Sequence, residues 1–271
     1  MRVTFYASEK ERETKLAEAL REGAARHGDE LRILSGQGAT HDGVACMFGV
    51  KSADRLHACW QNGQETILFD KGYTRDGRYI RAAVNAIQPI RSFQVGRKPD
   101  RWSKVGARLH PRRRGRSIIF AGSSEKFHRA AGLAHPTIYA SQVIEELRAR
   151  TGRPIIYRPK PSWRHAIPIE GSEMRREGPL SALLADAHAL VTWGSSAAVE
   201  AIVSGVPVVA LGDTIARPVS ETNLDRIAMP YFPSDDRRLQ WCSDLAYCQW
   251  TLDEYASGEA WGHIRAQLCS A

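Results

Sequence analysis

The sequence lacks the patterns that mark several large classes of protein. It contains no GxxxxGK[ST], no HExxH and no GxSxG, which argues against a P-loop NTPase, a zincin protease and an α/β-hydrolase. No run reaches the roughly 18 uninterrupted apolar residues that a membrane-spanning helix needs. These absences favour a globular protein whose chemistry is carried by less familiar motifs.

Cysteine is scarce as well. The five cysteines are odd in number and are not spaced like a zinc clamp, since Cys242 and Cys248 stand six residues apart. The first residues, Met1 to Ala7, predict a β-strand rather than a secretory signal. We therefore expect reduced thiols in a cytoplasmic protein.

Short apolar strands alternate with amphipathic helices along the chain. The 271 residues, 43% hydrophobic and 25% charged, suit one large or two ordinary globular domains. The alternation is typical of parallel sheets with crossover helices. We predict an α/β protein with two Rossmann-like domains facing across a cleft. The expected domains are residues 1–105 and 106–250, with a C-terminal helix in 251–271 that crosses back over the junction.

Positive charge is concentrated in one segment, residues 97–116, which we call the basic strip. It holds nine Lys/Arg against Asp100 alone, an excess equal to the net charge of +8. Prolines and glycines interrupt it, so we expect an exposed linker. Such a strip attracts polyanions; a solvated loop, or a loop that helps hold a diphosphate, is the alternative. The side chains expected to contact nucleic acid are Arg97, Lys98, Arg101, Lys104, Arg112, Arg113 and Arg114.

Small or basic residues follow three strands predicted in the second half. Carboxyl ends of parallel strands share one edge of a sheet, where the first amides of a helix bind phosphate. Glu200 stands one turn along such a helix, where a carboxylate can accept from both ribose hydroxyls. The pattern predicts a nucleotide diphosphate site, with a purely structural βαβ crossover as the alternative. The residues expected to hold the nucleotide are Gly122, Ser123, Ser124, Lys126, Arg158, Lys160, Gly194, Ser195, Ser196 and Glu200.

Polar residues next to strands of the first half are candidates for proton transfer. Asp70 follows a predicted strand and is the first candidate for the general base that takes a proton from an acceptor hydroxyl. His41 and Asp42 precede another strand and form the rival pair. For Asp70 the alternative is a capping role in the turn that follows.

The second half resembles the donor domain of GT-B glycosyltransferases, in particular the capsule-polysaccharide-synthesis-like group. The resemblance covers roughly residues 117–230 and rests on the segments YRPKP (157–161), VTWGSS (191–196), Glu200 and GVPVVALG (205–212). It implies a sugar transferred from a UDP-type donor, with Glu200 on the ribose and the Gly-Ser turn on the diphosphate. The relatives often carry His-Pro where this chain has Lys160-Pro161, which leaves the catalytic part of that loop open.

The compact length and the Asp70-Lys-Gly-Tyr73 segment also resemble small bacteriophage-type GT-B enzymes. Some of those glycosylate hydroxymethylated pyrimidines, such as hydroxymethylcytosine with UDP-glucose. With the basic strip, this resemblance favours double-stranded DNA as the acceptor, its target base flipped out of the duplex.

Other functions fit the same sequence. A cell-surface or capsular polysaccharide glycosyltransferase would share the fold, and so would a sugar-nucleotide epimerase. A nucleic-acid-binding module without catalysis is the third alternative. A DxD pair, typical of metal-dependent sugar transferases with a single domain, is absent, so we expect no metal and no permanently bound cofactor. The sugar and the oligomeric state stay open.

Overall fold

A computed structural model describes residues 1–35, 42–74, 77–91 and 93–268. The chain forms two units: unit 1 comprises Met1–Gln94 with Leu245–Ala271, and unit 2 comprises Val95–Asp244. The predicted boundaries, after residues 105 and 250, lie further along the chain. Among the described residues, no helix is long and apolar enough to cross a membrane.

Unit 1 is built on a six-stranded sheet. Its strands are β1 (Arg2–Ala7), β2 (Glu30–Ser35), β3 (Val44–Phe48), β4 (Thr66–Lys71), β5 (Ile80–Val84) and, near the C-terminus, β11 (Gln249–Trp250). The sheet order is β11-β5-β4-β3-β1-β2. Strands β1 to β4 run parallel, whereas β5 pairs antiparallel with β4 and β11 antiparallel with β5. Its helices are α1 (Glu11–Ala25), α2 (Ala53–Gln61), α9 (Leu252–Ala256) and α10 (Glu259–Leu268).

The core of unit 1 joins both ends of the chain. Leu16 and Leu20 stand four residues apart on one face of α1, and both are fully buried with Phe5 of β1. Trp261 of α10 lies in the same core, and its indole N–H donates to Asp29 at 2.9 Å. The C-terminal helices therefore complete the core of unit 1.

A partly buried ion pair lies at the carboxyl edge of this sheet. Lys51, after β3, donates to both carboxylate oxygens of Glu13 on α1, at 2.6 and 2.9 Å, and to the hydroxyl of Ser8 at 2.8 Å. Burial alone raises the pKa of Glu13, but hydrogen bonds from Lys51 and Ser8 together hold that pKa below its usual value. The carboxylate thereby ties the start of α1 to the turns after β1 and β3.

Unit 2 is built on a five-stranded sheet that is parallel throughout. Its strands are β6 (Ser117–Ala121), β7 (Ile155–Arg158), β8 (Glu173–Met174), β9 (Ala187–Thr192) and β10 (Val208–Ala210). The sheet order is β10-β9-β6-β7-β8. Its helices are α3 (Asp100–Val105), α4 (Glu125–Ala130), α5 (Pro136–Arg150), α6 (Leu180–Leu184) and α7 (Ala197–Val203), followed by α8 (Asp235–Ala246), whose last two residues belong to unit 1.

Helix α5 forms where its apolar spacing predicts it. Proline occupies its first turn, where the missing N–H is tolerated, and Val143, Ile144 and Leu147 are buried in the core of unit 2 with Ile118 of β6. Thr151 ends the helix in an extended conformation. The two sheets with their crossover helices confirm the predicted α/β class with two Rossmann-like units, although the sheet of unit 1 is mixed.

The basic strip is not the exposed linker that its composition suggested. Residues 100–105 form α3, in which Trp102 is buried and Arg101 is only 4% exposed. Further along, the amide of His110 donates to the carbonyl of Val203 at 2.9 Å, and the amide of Arg113 to that of Gly205 at 2.7 Å. The strip is thus fixed to the end of α7 by its backbone.

The ion pair of Glu13 leads to a prediction about stability. Glu13→Gln leaves Lys51 without its carboxylate, and we expect a loss of about 1–3 kcal/mol in the free energy of unfolding near pH 7. Because the pKa of Glu13 is lowered by folding, its contribution is present above about pH 4.3, the unfolded value, and is lost as pH falls through the folded value. Urea unfolding near pH 7 and near pH 3 should show the variant's deficit shrinking in acid.

Glu18→Gln, at an exposed position of the same helix, is the matched control and should unfold like the original protein at both pH values. A Glu13→Gln deficit that stayed constant with pH would contradict the assignment.

Candidate functional site

Thr192, the last residue of β9, connects two of the segments singled out in the sequence. Its side chain is fully buried, and its hydroxyl donates to the carbonyl of Ala121 at the end of β6, at 2.8 Å. The same oxygen accepts from the amide of Ser195 at 3.1 Å. Since β6 and β9 are neighbours in the sheet, the Gly122 and Gly194 turns lie side by side. The structure therefore brings together residues 122–124 and 194–196.

The turn into α7 uses its own hydroxyl group. The Oγ of Ser195 accepts from the amide of Ala197 at 3.2 Å, and the next two amides of the helix bond to the carbonyls of Ser195 and Ser196. The exposed Ser196 side chain makes no capping hydrogen bond. The amides of residues 197–199 thus already have acceptors, and the Ser196 hydroxyl is exposed at this turn.

Glu200 follows one turn into α7. The residue is half-buried, and its Oε2 atom is fully shielded from solvent. The carboxylate therefore stands beyond the Gly194 turn on a short helix of Ala197, Ala198 and Ala201, all of which are buried. This is the placement that the spacing in the sequence predicted.

The far end of α7 is fixed by a Schellman motif. Gly205 has a φ of +80°, its amide donates to Ile202, and the amide of Val206 donates to Ala201. A Cβ atom at Gly205 would stand 2.0 Å from the carbonyl oxygen of Pro111 in the basic strip. Only glycine fits this position, for both reasons.

A buried arginine holds the same end of the helix. Arg238 of α8 is 0% exposed and donates to the carbonyl of Ile202 at 3.0 Å and to that of His110 at 2.9 Å. It also pairs with Asp235 at 2.6 Å. Arg113 adds a bond from its Nε atom to the carbonyl of Ser204 at 2.7 Å. The helix that carries Glu200 is therefore fixed at both ends.

Two of the predicted cations, Lys126 and Lys160, are accessible to a ligand. Lys126 in α4 and Lys160 after β7 are both exposed. Because β7 is the neighbour of β6, Lys160 lies at the same sheet edge as the Gly122 turn. Ser124 is the residue before α4, and Ser123 beside it is buried.

Arg158 has a different environment from the one expected. The residue is 8% exposed, and its guanidinium donates to the backbone carbonyls of Arg175, Arg176, Glu177 and Gly178. These acceptors lie in the segment after β8. Arg158 therefore holds that segment in place. We no longer assign its guanidinium to a phosphate.

An uncharged aromatic layer lies beside the turns. A Cβ atom at Gly122 would stand 3.1 Å from the ring of Tyr157, and one at Gly212 would stand 2.2 Å from the indole of Trp193. Burial raises the pKa of Tyr157 to about 12, and burial also lowers the pKa of His128 in α4. Both rings are neutral near pH 7, so they add no charge to the edge.

The sequence reasoning missed Thr192 and Trp193. The threonine could have been suspected because it ends a buried strand directly before a small-residue turn. The indole of Trp193 packs edge-on against Phe127, with the ring centres 5.6 Å apart. The one sign of it in the sequence is Gly212, where a larger residue would clash with the indole.

Asp70 lies at the carboxyl end of β4 in unit 1. One oxygen accepts from Arg81 on β5 at 3.0 Å, and the other accepts from the amide of Lys71 at 2.8 Å. Arg81 is buried and lies 5.0 Å from the centre of the Tyr73 ring. The carboxylate of Asp70 keeps a third of its surface exposed. It is thus oriented by two donors and still accessible.

The rival pair lies elsewhere. His41 falls outside the described residues. Asp42 is exposed, pairs with Arg2 and precedes β3, which places it at the amino edge of the sheet. Since β3 and β4 are parallel, Asp42 and Asp70 stand at opposite edges and do not form one site.

The cations expected to contact nucleic acid fall into two groups. Lys98, Lys104, Arg112 and Arg114 are exposed. Arg101 is buried, whereas Arg97 and Arg113 are half-buried. The strip thus offers fewer open charges than its composition indicated.

Part of unit 2 matches a known protein family. Residues 141–219, which are 79 of the 271, match the model of a family described as "Putative glycosyltransferase (DUF6716)". The matched segment contains Lys160, the Gly194 turn and Glu200. No curated protein matches the chain significantly.

Two solved structures from Thermosulfurimonas dismutans share the fold. One is KpsC, beta Kdo 2,7 transferase, at 10% identity and a TM-score of 0.58, covering 96% of this chain and 99% of that one. The other is KpsC, beta Kdo 2,4 transferase, at 12% identity and a TM-score of 0.54, covering 90% of each chain. With the family match, this likeness of fold supports the resemblance to GT-B glycosyltransferases.

The fixation of α7 can be tested at Arg238. Arg238→Gln removes a buried charge that serves three acceptors, and we expect a loss of about 2–3 kcal/mol in the free energy of unfolding, measured with urea. The neighbouring Arg237 is exposed and bonds to the carbonyl of Pro218, so Arg237→Gln is the matched control and should lose less than about 1 kcal/mol. Equal losses in the two variants would contradict the role given to Arg238.

Proposed function

We propose that this protein is a glycosyltransferase that takes a nucleotide sugar and transfers its sugar to a hydroxyl group. The observation that carries the proposal is the juxtaposition made by Thr192, which sets the Gly122 and Gly194 turns side by side with Glu200 one helical turn beyond. Ligands of open α/β sheets bind beyond the carboxyl ends of the strands, which is where these residues lie.

The donor is held by groups of complementary chemistry. The Glu200 carboxylate accepts hydrogen bonds from the ribose hydroxyls. The Ser196 hydroxyl, Lys126 and Lys160 stand at the strand ends where the diphosphate is expected, and they offset its charge as it leaves. A UDP-type donor remains a prediction that rests on the resemblance of the second half to known donor domains.

Asp70 is our candidate for the general base. In the proposed step the acceptor hydroxyl gives its proton to the Asp70 carboxylate, and its oxygen forms a bond to the anomeric carbon. The bond from that carbon to the diphosphate breaks, and the nucleoside diphosphate leaves. Arg81 and the Lys71 amide orient the carboxylate for this role.

A carbohydrate hydroxyl is the acceptor that we favour. Two solved structures of similar fold are named as beta Kdo 2,7 and beta Kdo 2,4 transferases, and such numbers describe linkages between sugar positions, which supports a glycan acceptor by analogy of fold alone. The case for hydroxymethylated DNA as the acceptor now depends on the six exposed cations of the basic strip, and transfer to DNA is an outcome to be tested. An epimerase would convert the nucleotide sugar with no acceptor present.

Donor binding tests the first half of the proposal. Isothermal titration with UDP-, CMP-, GDP- and dTDP-sugars should identify at least one that binds. Glu200→Gln should weaken its binding about tenfold or more, because a hydrogen bond to a charged group contributes about 1.5–3 kcal/mol. Glu145→Gln, at an exposed position of α5, should bind as the original protein does. No binding by any donor, or an unchanged Glu200→Gln, would refute the site.

The rate of sugar transfer tests both the assignment of the general base and the identity of the acceptor. Asp70→Asn should lower the rate of sugar transfer about 100-fold or more while the donor dissociation constant stays the same. Asp42→Asn is the rival and should leave the rate unchanged. Thermal unfolding of each variant checks that it folds.

The acceptors to compare are an oligosaccharide series and hydroxymethylated duplex DNA, with products identified by mass spectrometry. Transfer to DNA that falls steeply as salt rises would replace the glycan acceptor with DNA. Loss of activity in Asp42→Asn but not in Asp70→Asn would overturn the assignment of the base.

A further inference from the structure

Trp163 is a buried indole whose polar atom has no acceptor. The residue lies five positions after β7 and is 5% exposed, and its Nε1 atom has no hydrogen-bond partner in the part of the chain that the structure describes. A buried N–H without an acceptor has lost its hydrogen bonds to water and gained none in return, which destabilises the folded state. An acceptor brought by a ligand would satisfy it.

A second N–H group lies beside this indole. His135 is the residue before α5, and its ring packs against that of Trp163 at 6.0 Å and 66°. The Nδ1 atom of His135 accepts from the amide of Thr137, which leaves Nε2 as the ring nitrogen that can donate. The exposed imidazole therefore offers an N–H donor next to the indole.

The charge around these donors is positive. Helix α5 is 15 residues long, and its N-terminal end carries the positive end of the helix dipole. Lys160 and Arg164, in the same loop as Trp163, are both exposed. Two N–H donors, a helix N-terminus and two cations together suit an oxyanion.

The position of these residues connects them to the donor site. Helix α5 ends at Arg150, shortly before β7 begins, so its first turn lies toward the carboxyl edge of the sheet in unit 2. The loop of Trp163 leaves β7 at that same edge. The pair thus lies on the β7 side of the residues assigned to the nucleotide.

We propose that Trp163 and His135 form an oxyanion subsite, in which the indole N–H donates to an oxygen of a phosphate or carboxylate group of the substrate. The inference rests on the proposed function for its link to the donor. Two sources supply such an oxygen: the diphosphate of the donor, or the carboxylate of an acidic sugar.

Nuclear magnetic resonance of the indole groups tests the subsite directly. In ¹⁵N-labelled protein, Trp163→Phe removes one indole signal and so identifies it. Trp241→Phe identifies the control, since that indole already donates to the carbonyl of Ile215 at 2.9 Å. Titration then uses inorganic diphosphate, glucuronate and, as the neutral match, glucose.

We expect the Trp163 signal to move with one oxyanion and not with glucose, while the Trp241 signal stays in place. A response to diphosphate identifies the phosphate as the source, and a response to glucuronate alone identifies an acidic sugar. Trp163→Phe and His135→Phe should each weaken binding of that anion about fivefold or more, by calorimetry.

The subsite and the proposed function fail separately. If a nucleotide sugar binds equally to the original protein and to Trp163→Phe, and no anion moves the signal, the subsite is overturned and the donor site stands. If an oxyanion moves the signal in a protein that binds no nucleotide sugar, the subsite stands and the proposed function is overturned. Equal movement of the Trp163 and Trp241 signals also overturns the subsite.

Discussion

The candidate donor site depends on one buried hydroxyl group. Thr192 donates to the end of β6 and accepts from the turn after β9, so a single oxygen sets the register between two loops that are 71 residues apart in sequence. A hydroxyl suits this position because it donates and accepts at once. Valine would fill the same space, but both hydrogen bonds made by the Thr192 hydroxyl would be lost.

Several arginines of unit 2 donate to backbone carbonyls. Arg158 holds the segment after β8, and Arg238 with Arg113 holds the end of α7. A guanidinium has five N–H groups in a rigid plane, so one side chain can donate to several carbonyls that have no partner in a helix or strand. These guanidinium groups therefore have a structural role in unit 2.

The sequence predicted the elements whose periodicity is local. Helix α5 begins at its proline and ends at Arg150 as expected, and Gly205 ends α7 as its place before Val206-Pro207 indicated. The basic strip was misjudged because the bonds that fix it join residues about ninety positions apart. Composition does not reveal hydrogen bonds between residues that are distant in sequence. The prediction of an exposed linker therefore followed from the charge and the turn residues of the strip alone.

Net charge alone is a poor guide to the binding partner, because some of the charged side chains are buried or bonded within the fold. The strip accounts for the whole excess of +8, yet Arg101 is buried and Arg113 is engaged with the end of α7. A duplex would therefore meet six exposed cations out of the nine in the strip. With fewer phosphates neutralised, both the affinity for DNA and its dependence on salt are lower. The strip holds the end of α7, the helix that carries Glu200, through hydrogen bonds from His110 and Arg113. An acceptor bound at the strip would contact residues whose positions are set by these bonds.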